Sequence, residues 1–309
     1  MDAGTLYRLL STVAPISSIS IGLATDKLTW TVTYDGADAG QIAAAEALIA
    51  AASTSEEIGT ESTQFFQVAL AVASSASLVL AKRYGNKIFI NGVNYLLPYQ
   101  DVGIANTGLT AATLYYAYAY WTGTTVALEL STTGSGTSPI FGHEIKVGDA
   151  SRTYVGMIYT GAGTPGTFID SETQRFCASY YNRVPKHCQR MLGTARSTAS
   201  APWVELSSAD RIEFITHGSE DALCFLNSNP ALAVTAATMS GAIGVNGTTT
   251  RTCEQNINFG GAALPLAMAA IRGYRFDHGY NYMTFVGGTT ASTVTYPATQ
   301  TALGAMLRQ

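Results

Sequence analysis

Between Lys27 and Gly36 the chain reads KLTWTVTYDG, with Leu28, Trp30, Val32 and Tyr34 on one side and Thr29, Thr31 and Thr33 on the other. Such alternation predicts a half-buried strand, ended by the turn signal Asp35-Gly36. Asp38 followed by Gln41 has the form of a capping box. It predicts a helix through AGQIAAAEALIAAA, whose Ile42, Ala45, Ile49 and Ala52 form a narrow apolar stripe. One strand and one small helix bury too little to stand alone, so this unit is expected to lean on something else. Residues 1–24, with Pro15 and a Ser/Ile mix, show little regular period and read as an arm.

From Ser62 to Ala81 two periods compete. Phe66, Val68, Leu70 and Val72 alternate as in a strand, while the alanine content favours a helix. Both readings stay open, with the balance towards strands. The β pattern is firm afterwards. LVLAKRYGNKIFINGVNYLLP carries turn signals at Tyr84-Gly85-Asn86 and Asn91-Gly92, the second typical of a type I′ hairpin. In TLYYAYAYWTGTTVALELSTT, residues 113–133, Leu114, Tyr116, Tyr118 and Tyr120 share one face and Tyr115, Ala117, Ala119 and Trp121 the other. Thr122-Gly123-Thr124 turns the chain, and Val126, Leu128 and Leu130 return along a partner strand.

YYNRVPKHC, residues 180–188, breaks the pattern and reads as a boundary. Beyond it, short strands recur about every 8 to 12 residues between Gly, Ser and Thr turns, as in a β-sandwich or jelly roll. The expected fold is mainly β: a small N-terminal strand-helix unit followed by two antiparallel β-sandwich or jelly-roll-like domains. The expected divisions are an arm at 1–24, the strand-helix unit at 25–60, a β-rich body at 61–185 and a C-terminal β-sandwich knob at 186–309.

Composition narrows the functional classes. Charged residues are 12% of the 309, about half the roughly 25% of ordinary soluble domains, which suits surfaces buried against neighbouring subunits. A net charge of −4 without a basic run argues against nucleic acid, which requires clustered Lys and Arg. The acidic start lacks a basic n-region and a long apolar core, so no signal peptide is expected. The charge-free stretch from Ser62 to Ala81 holds Gln64, Gln67 and several serines, and no membrane insertion is expected. Cys177, Cys188, Cys224 and Cys253 are widely spaced with no C-x-x-C pair; they read as buried thiols rather than zinc ligands.

INGVNYLLP at 90–98, TGLTAATLYYAYAYWTGTTVALELSTTG at 107–134, GHEIKVGDASRTYVGMIYT at 142–160 and FIDSETQRFCASYYNR at 168–183 resemble blocks of phage tail-fibre, head-fibre and related virion-fibre proteins. WVELSSADRIEFI at 203–215 and GYNYMTFVGG at 279–288 are similar to the domain that often follows in them. TWTVTYDGADAGQIAAAEALIAAA is similar to a short module of phage tail and fibre genes. The resemblance covers most of the chain after residue 24. It implies a virion structural protein of a tailed phage: a fibre or spike subunit, usually a homotrimer, with its N-terminal end docked on a capsid, collar or tail protein. The C-terminal domain would point outwards, where host-surface adsorption is a secondary role. Leu6, Tyr7, Leu9, Leu10, Ile42 and Ile49 are the expected virion-anchoring residues. Tyr115 and Trp121 are the expected oligomer interface, since interface cores are enriched in Tyr and Trp and poor in charge.

Catalytic chemistry finds little support in the chain. A glycosidase needs two carboxylates across a cleft, and the candidates are Asp210 with Glu213 and Glu220 with Asp221. Three residues apart on a strand, Asp210 and Glu213 face opposite sides, and a solvated strand end beside Arg211 is the expected reading. His187-Cys188, His143-Glu144 and Asp277-His278 are neighbours whose side chains diverge. The four histidines lack metal-ligand spacing, and GAGTPGTF at 161–168 lacks the Lys-Ser/Thr of a phosphate loop. No enzyme activity, cofactor or metal is expected. A host-surface polysaccharide-degrading enzyme and a free carbohydrate-binding module stand as alternatives. For the latter, Tyr274, Tyr280, Asn281 and Tyr282 are the candidate glycan contacts, set against a core strand pair with its tyrosines packed.

Overall fold

A computed structural model describes residues 10–21, 30–51, 66–199, 203–232, 237–258 and 267–309. The fold is mainly β, with antiparallel sheets and one long helix near the N-terminus. The chain divides into two compact units, 1–64 and 65–309.

In the first unit, Trp30–Tyr34 alternates between buried and exposed positions as expected. It pairs antiparallel with Ile16–Ile21, inside the segment read as an arm. The capping box forms: Asp38 Oδ1 accepts from the Gln41 amide at 2.8 Å, and Gln41 Oε1 accepts from the Asp38 amide at 3.0 Å. The helix Ala39–Ala51 follows. Leu10, Ala14, Ile16, Trp30 and Ala45 make a small core, with Leu48 and Ile49 against it. Leu10 and Ile49, two expected anchoring residues, therefore spend their side chains on this unit's own core. The alternation read from the sequence began at residue 27, so the strand that needed them as cover went unseen. Ile42 is half-buried, and Leu6, Tyr7 and Leu9 lie outside the described residues.

Residues 65–309 hold two cores. The ambiguous segment forms two strands, Val68–Ser74 and Ser77–Lys82, registered so that Leu70 faces Leu80 and Val72 faces Leu78. Lys87–Ile90 and Val93–Leu96 close across Asn91-Gly92, both with positive φ (46° and 85°), as a type I′ turn requires. Behind them stands the sheet of Leu114–Trp121, Val126–Ser131 and Asp149–Tyr159, with shorter strands at its edges. Val68, Leu78, Leu80, Ile88, Tyr115, Ala117, Val155 and Ile158 fill the space between.

The C-terminal half is a two-layer sandwich. One layer holds Ile212–Thr216, Gly279–Thr289, Thr238–Val245 and Arg251–Asn258; the other holds Pro185–Met191, Ala302–Arg308, Asp221–Ser228 and Met268–Arg275. Its core contains Phe214, Met239, Ile243, Phe276, Met283, Phe285 and Tyr296, with Cys188, Cys224 and Cys253. All four cysteines are free and buried, and burial pushes the thiols of Cys177, Cys188 and Cys224 up to about 12.

The two halves meet in a seam. Met157, Ala178 and Ile215 are buried together, flanked by Leu114, Tyr159 and Tyr280. Gln174-Arg175 runs parallel to Glu213-Phe214, and the Gln309 amide donates to the carbonyl of Ile215 at 2.6 Å. The segment read as a boundary crosses this seam, where Asn182 Nδ2 donates to the carbonyls of Phe66 (2.8 Å) and Val68 (3.0 Å).

Candidate functional site

The tyrosine strand has two faces, and this chain covers most of both, leaving Trp121 at the strand end exposed. Tyr115 is buried in the body core, its hydroxyl accepting from the Thr110 amide at 3.0 Å. Trp121 sits at the strand end with its ring stacked on Tyr95, centroids 4.4 Å apart. The face assigned by sequence to a neighbouring chain is thus the inner one, since Ala117 and Ala119 leave room there for Val126 and Leu128 to pack. On the other face Tyr118 is fully buried and its hydroxyl donates to the Thr133 carbonyl at 2.7 Å. The Arg152 guanidinium lies 4.0 Å from the Tyr120 ring centroid. Glu129, the one charge of the stretch, accepts from Lys146 and from Arg152 (2.6 Å). These two cations hold its carboxyl below the usual range against the opposing effect of burial.

The residues read as glycan contacts do structural work. The Tyr280 hydroxyl donates to Glu213, and its ring packs 4.6 Å from that of Tyr159; burial and the Glu213 bond push its pKa up. Asn281 is fully buried, donating to the carbonyls of Asp277 (2.7 Å) and Gly279 (3.0 Å) while its Oδ1 accepts from Asn246 at 2.9 Å. Tyr274 packs at the sandwich edge, 4.9 Å from Phe276. Tyr282 lies under the Arg211 guanidinium at 4.0 Å.

The candidate carboxylates are likewise held. Asp210 is not a solvated strand end: it is buried, 2.7 Å from Arg196 and 3.9 Å from Arg190. A short 3-10 turn, Ser208–Asp210, capped by Ser207, turns it inward. Glu213 also accepts from Gln174 at 2.9 Å. Asp221 pairs with Arg275 in the open. Among the described residues, no three His, Cys, Asp or Glu side chains gather as a metal site.

Two surfaces remain. The first is the outer face of the sheet Pro185–Met191, Ala302–Arg308, Asp221–Ser228, Met268–Arg275. Its register aligns His187, Met306, Leu223 and Gly273 in one row; Gln189, Gly304, Phe225 and Ile271 in the next; and Met191, Ala302, Asn227 and Ala269 in a third. No Lys, Arg, Asp or Glu stands in these rows. Ile271 is 68% exposed, Leu223 54%, Met191 48% and Met306 42%. A Cβ on Gly304 would come within 2.3 Å of the Phe225 ring, so glycine lets that ring lie across the strand and flatten the face. At strand spacings of about 4.8 Å and a rise of about 3.4 Å per residue, the rows cover on the order of 400 Å², the size of an interface centre.

The second surface is an open cleft of about 390 Å³ at the seam, lined by Tyr84, Tyr180, Asn182, Arg183, Glu220 and Arg308. Arg183 Nη1 donates to Glu220 Oε1 at 3.0 Å, and its Nε to the Tyr180 carbonyl at 3.1 Å. Near it the half-buried His217 ring packs against Tyr154 and Tyr180. Of these residues the sequence singled out Glu220 alone, as a catalytic candidate.

No family model matches the chain, and no curated protein matches it. Among solved structures it is similar to the insecticidal delta-endotoxin Cry8Ea1 of Bacillus thuringiensis (TM-score 0.28, 11% identity, covering 78% of this chain and 52% of that one). It is also similar to a structure of infectious bursal disease virus, Gx strain (TM-score 0.29, 10% identity, 81% and 59%), and to dimeric latent PorU of Porphyromonas gingivalis (TM-score 0.31, 8% identity, 82% and 23%). The chain spans less than two thirds of the length of each, and likenesses of this degree define no role for it.

Proposed function

We propose that the protein is a structural subunit of a multi-copy assembly, a fibre or spike of a tailed phage particle. Its N-terminal end would attach to a particle protein and its C-terminal sandwich would lie distally. The observation that carries this reading is the outer sheet face with Leu223, Ile271, Met191 and Met306 exposed and no charge among them. Contiguous apolar surface on a soluble chain marks a place to be covered. A second copy covers it without burying a charge, which would be costly. Adsorption to a host surface through the C-terminal half is a secondary part of the reading. Host-glycan cleavage has less behind it, because Asp210 and Glu213 are each committed to partners in the fold.

Light scattering on the full chain is the first test, with Leu223→Glu and Ile271→Glu beside the wild type. The wild type is expected to have the mass of a small homo-oligomer, a trimer on the fibre reading, and the variants to fall to monomers with unchanged circular dichroism. A monomeric wild type at tens of micromolar would remove the reading. Immunogold electron microscopy of particles from the encoding phage addresses the attachment directly, with label expected on a projecting element.

A further inference from the structure

We infer that the seam cleft is a binding site for a carboxylate-bearing saccharide, such as a uronic-acid unit. The inference goes beyond the assembly reading and stands without it. Four separate stretches of chain converge on the cleft: the turn holding Tyr84, the crossing segment 180–183, the turn at Glu220, and Arg308 on the last strand. Its volume, about 390 Å³, falls in the range of small-molecule sites.

Three independent features define the ligand. Arg308 is exposed and has no ion-pair or hydrogen-bond partner among the described residues, unlike Arg183 beside it. A free planar guanidinium on a concave surface suits a carboxylate, which it can bind through two parallel N–H···O bonds. Glu220 supplies the opposite demand. Its Oε1 is taken by Arg183, but its Oε2 is buried without a hydrogen-bond partner. Glu220 also lines a narrow, part-open space of about 20 Å³, room for one water. Buried as it is, that oxygen is reached through such a water, which donates to Oε2 and accepts from a ligand hydroxyl, so the ligand carries hydroxyls as well as an anion.

The third feature is aromatic. Tyr84 stands 74% exposed on a backbone with φ of 62°, and Asn182 has φ of 51°. Left-handed backbone at non-glycine residues is uncommon, most of all for a bulky ring, and is retained where the surroundings hold it. Here the two positions border one cleft; Tyr84 offers a ring face and a phenol group at its rim, and Tyr180, its ring packed on Tyr154, Tyr181 and His217, lines the wall. A pyranose presents an apolar C–H face, a ring of hydroxyls and, when oxidised at its terminal carbon, a carboxylate. Those match the tyrosines, the Glu220 oxygen and Arg308 respectively.

Calorimetric titration and ligand-observed NMR on the full chain test this, using D-glucuronate and a galacturonic-acid trisaccharide as probes, with D-glucose and inorganic phosphate as comparators. The acidic probes are expected to bind, the trisaccharide more tightly, and glucose at least about tenfold more weakly, as loss of one charge-assisted contact implies. Arg308→Gln should weaken the acidic probes about tenfold and leave the melting temperature unchanged, because the Arg308 side chain has no partner among the described residues to lose. Tyr84→Ala should weaken them too, and its melting curve reports whether the turn survives. No binding of either acidic probe, equal binding by glucose, or wild-type affinity in Arg308→Gln would overturn the proposal. Phosphate binding as tightly as glucuronate would also overturn it, reducing the cleft to a simple anion site.

Discussion

His217 Nδ1 lies 3.5 Å from the hydroxyl of Tyr154, with the imidazole half-buried at the seam between the two halves. Its Nε2 is 3.1 Å from the Ser179 carbonyl, which fixes the neutral tautomer: Nε2 carries the proton and Nδ1 accepts from the phenol. Burial, then the Arg183 charge nearby, lowers the imidazole to about 3. Tyr180, Arg183 and His278 are the other polar or charged groups around the ring.

Acid should therefore loosen the seam well before the carboxylates are all protonated. The folded-state value is depressed, so the unfolded chain binds the extra proton between about pH 6.5 and the folded value of about 3. The stability His217 contributes is present above pH 6.5 and is lost as pH falls towards 3. At about 1.4 kcal/mol per pH unit, the loss is roughly 2–3 kcal/mol between pH 6.5 and 4.5. Denaturant midpoints over that range should fall more steeply for the wild type than for His217→Gln. Parallel curves would show that another group governs the acid response.

The two tyrosines read as a sugar platform should separate cleanly in a stability measurement. The Tyr280 ring packs on Tyr159 and Phe176, and its hydroxyl serves Glu213. Tyr280→Ala is expected to cost about 3 kcal/mol, in the range of aromatic truncations in a core. Tyr282 contributes chiefly a cation–π contact with Arg211, and Tyr282→Ala should cost about 1 kcal/mol. Equal costs would contradict this assignment of their roles.

How far the sequence could be read follows from which interactions are local. The alternation of residues 30–34, the Asp38/Gln41 capping box and the Asn91-Gly92 hairpin depend on neighbours in the chain, and each forms as its pattern predicts. The tyrosine strand shows the limit. Period two separates Tyr115 from Tyr116, but which side is inner depends on Val155 and Ile158 some forty residues later. The cleft was less legible still. Tyr84, Asn182, Glu220 and Arg308 have no common spacing, and meet because the seam folds the two sheets together. The apolar outer face lay hidden for a related reason: alternation in Asp221–Ser228 places Leu223 and Phe225 on one side, yet both sides carry apolar residues.

The cysteines give a chemical test of the packing. All four are buried, and burial holds the thiols of Cys177, Cys188 and Cys224 near 12, so almost no thiolate exists at pH 8. Native protein should react with less than about one equivalent of a disulfide reagent over minutes, and unfolded protein with four. A fast-reacting native thiol would show that one of these core positions opens to solvent.

Gly156 sets the last prediction, because a register shift there decides what the body core and the seam receive. Across from Leu114–Trp121, Tyr154 faces Tyr118 while Gly156 faces Ala117, leaving Val155 unpaired. That extra residue lets Val155 and Ile158 both enter the body core while Met157 enters the seam, a placement strict alternation forbids. Gly156 has φ of 153°, and a Cβ there would stand 2.4 Å from the Ala178 carbonyl oxygen. That oxygen belongs to a paired strand and cannot withdraw without breaking the pairing. Gly156→Ala should therefore cost more than about 2 kcal/mol, a fall of roughly 5 °C or more in melting temperature for a unit of this size. Gly123 is the control. Its φ of 98° is also left-handed, but a Cβ meets nothing within 4 Å, so Gly123→Ala should cost only about 1 kcal/mol of backbone strain. If the two substitutions cost the same, the close approach at Ala178 contributes nothing and the bulge tolerates a side chain.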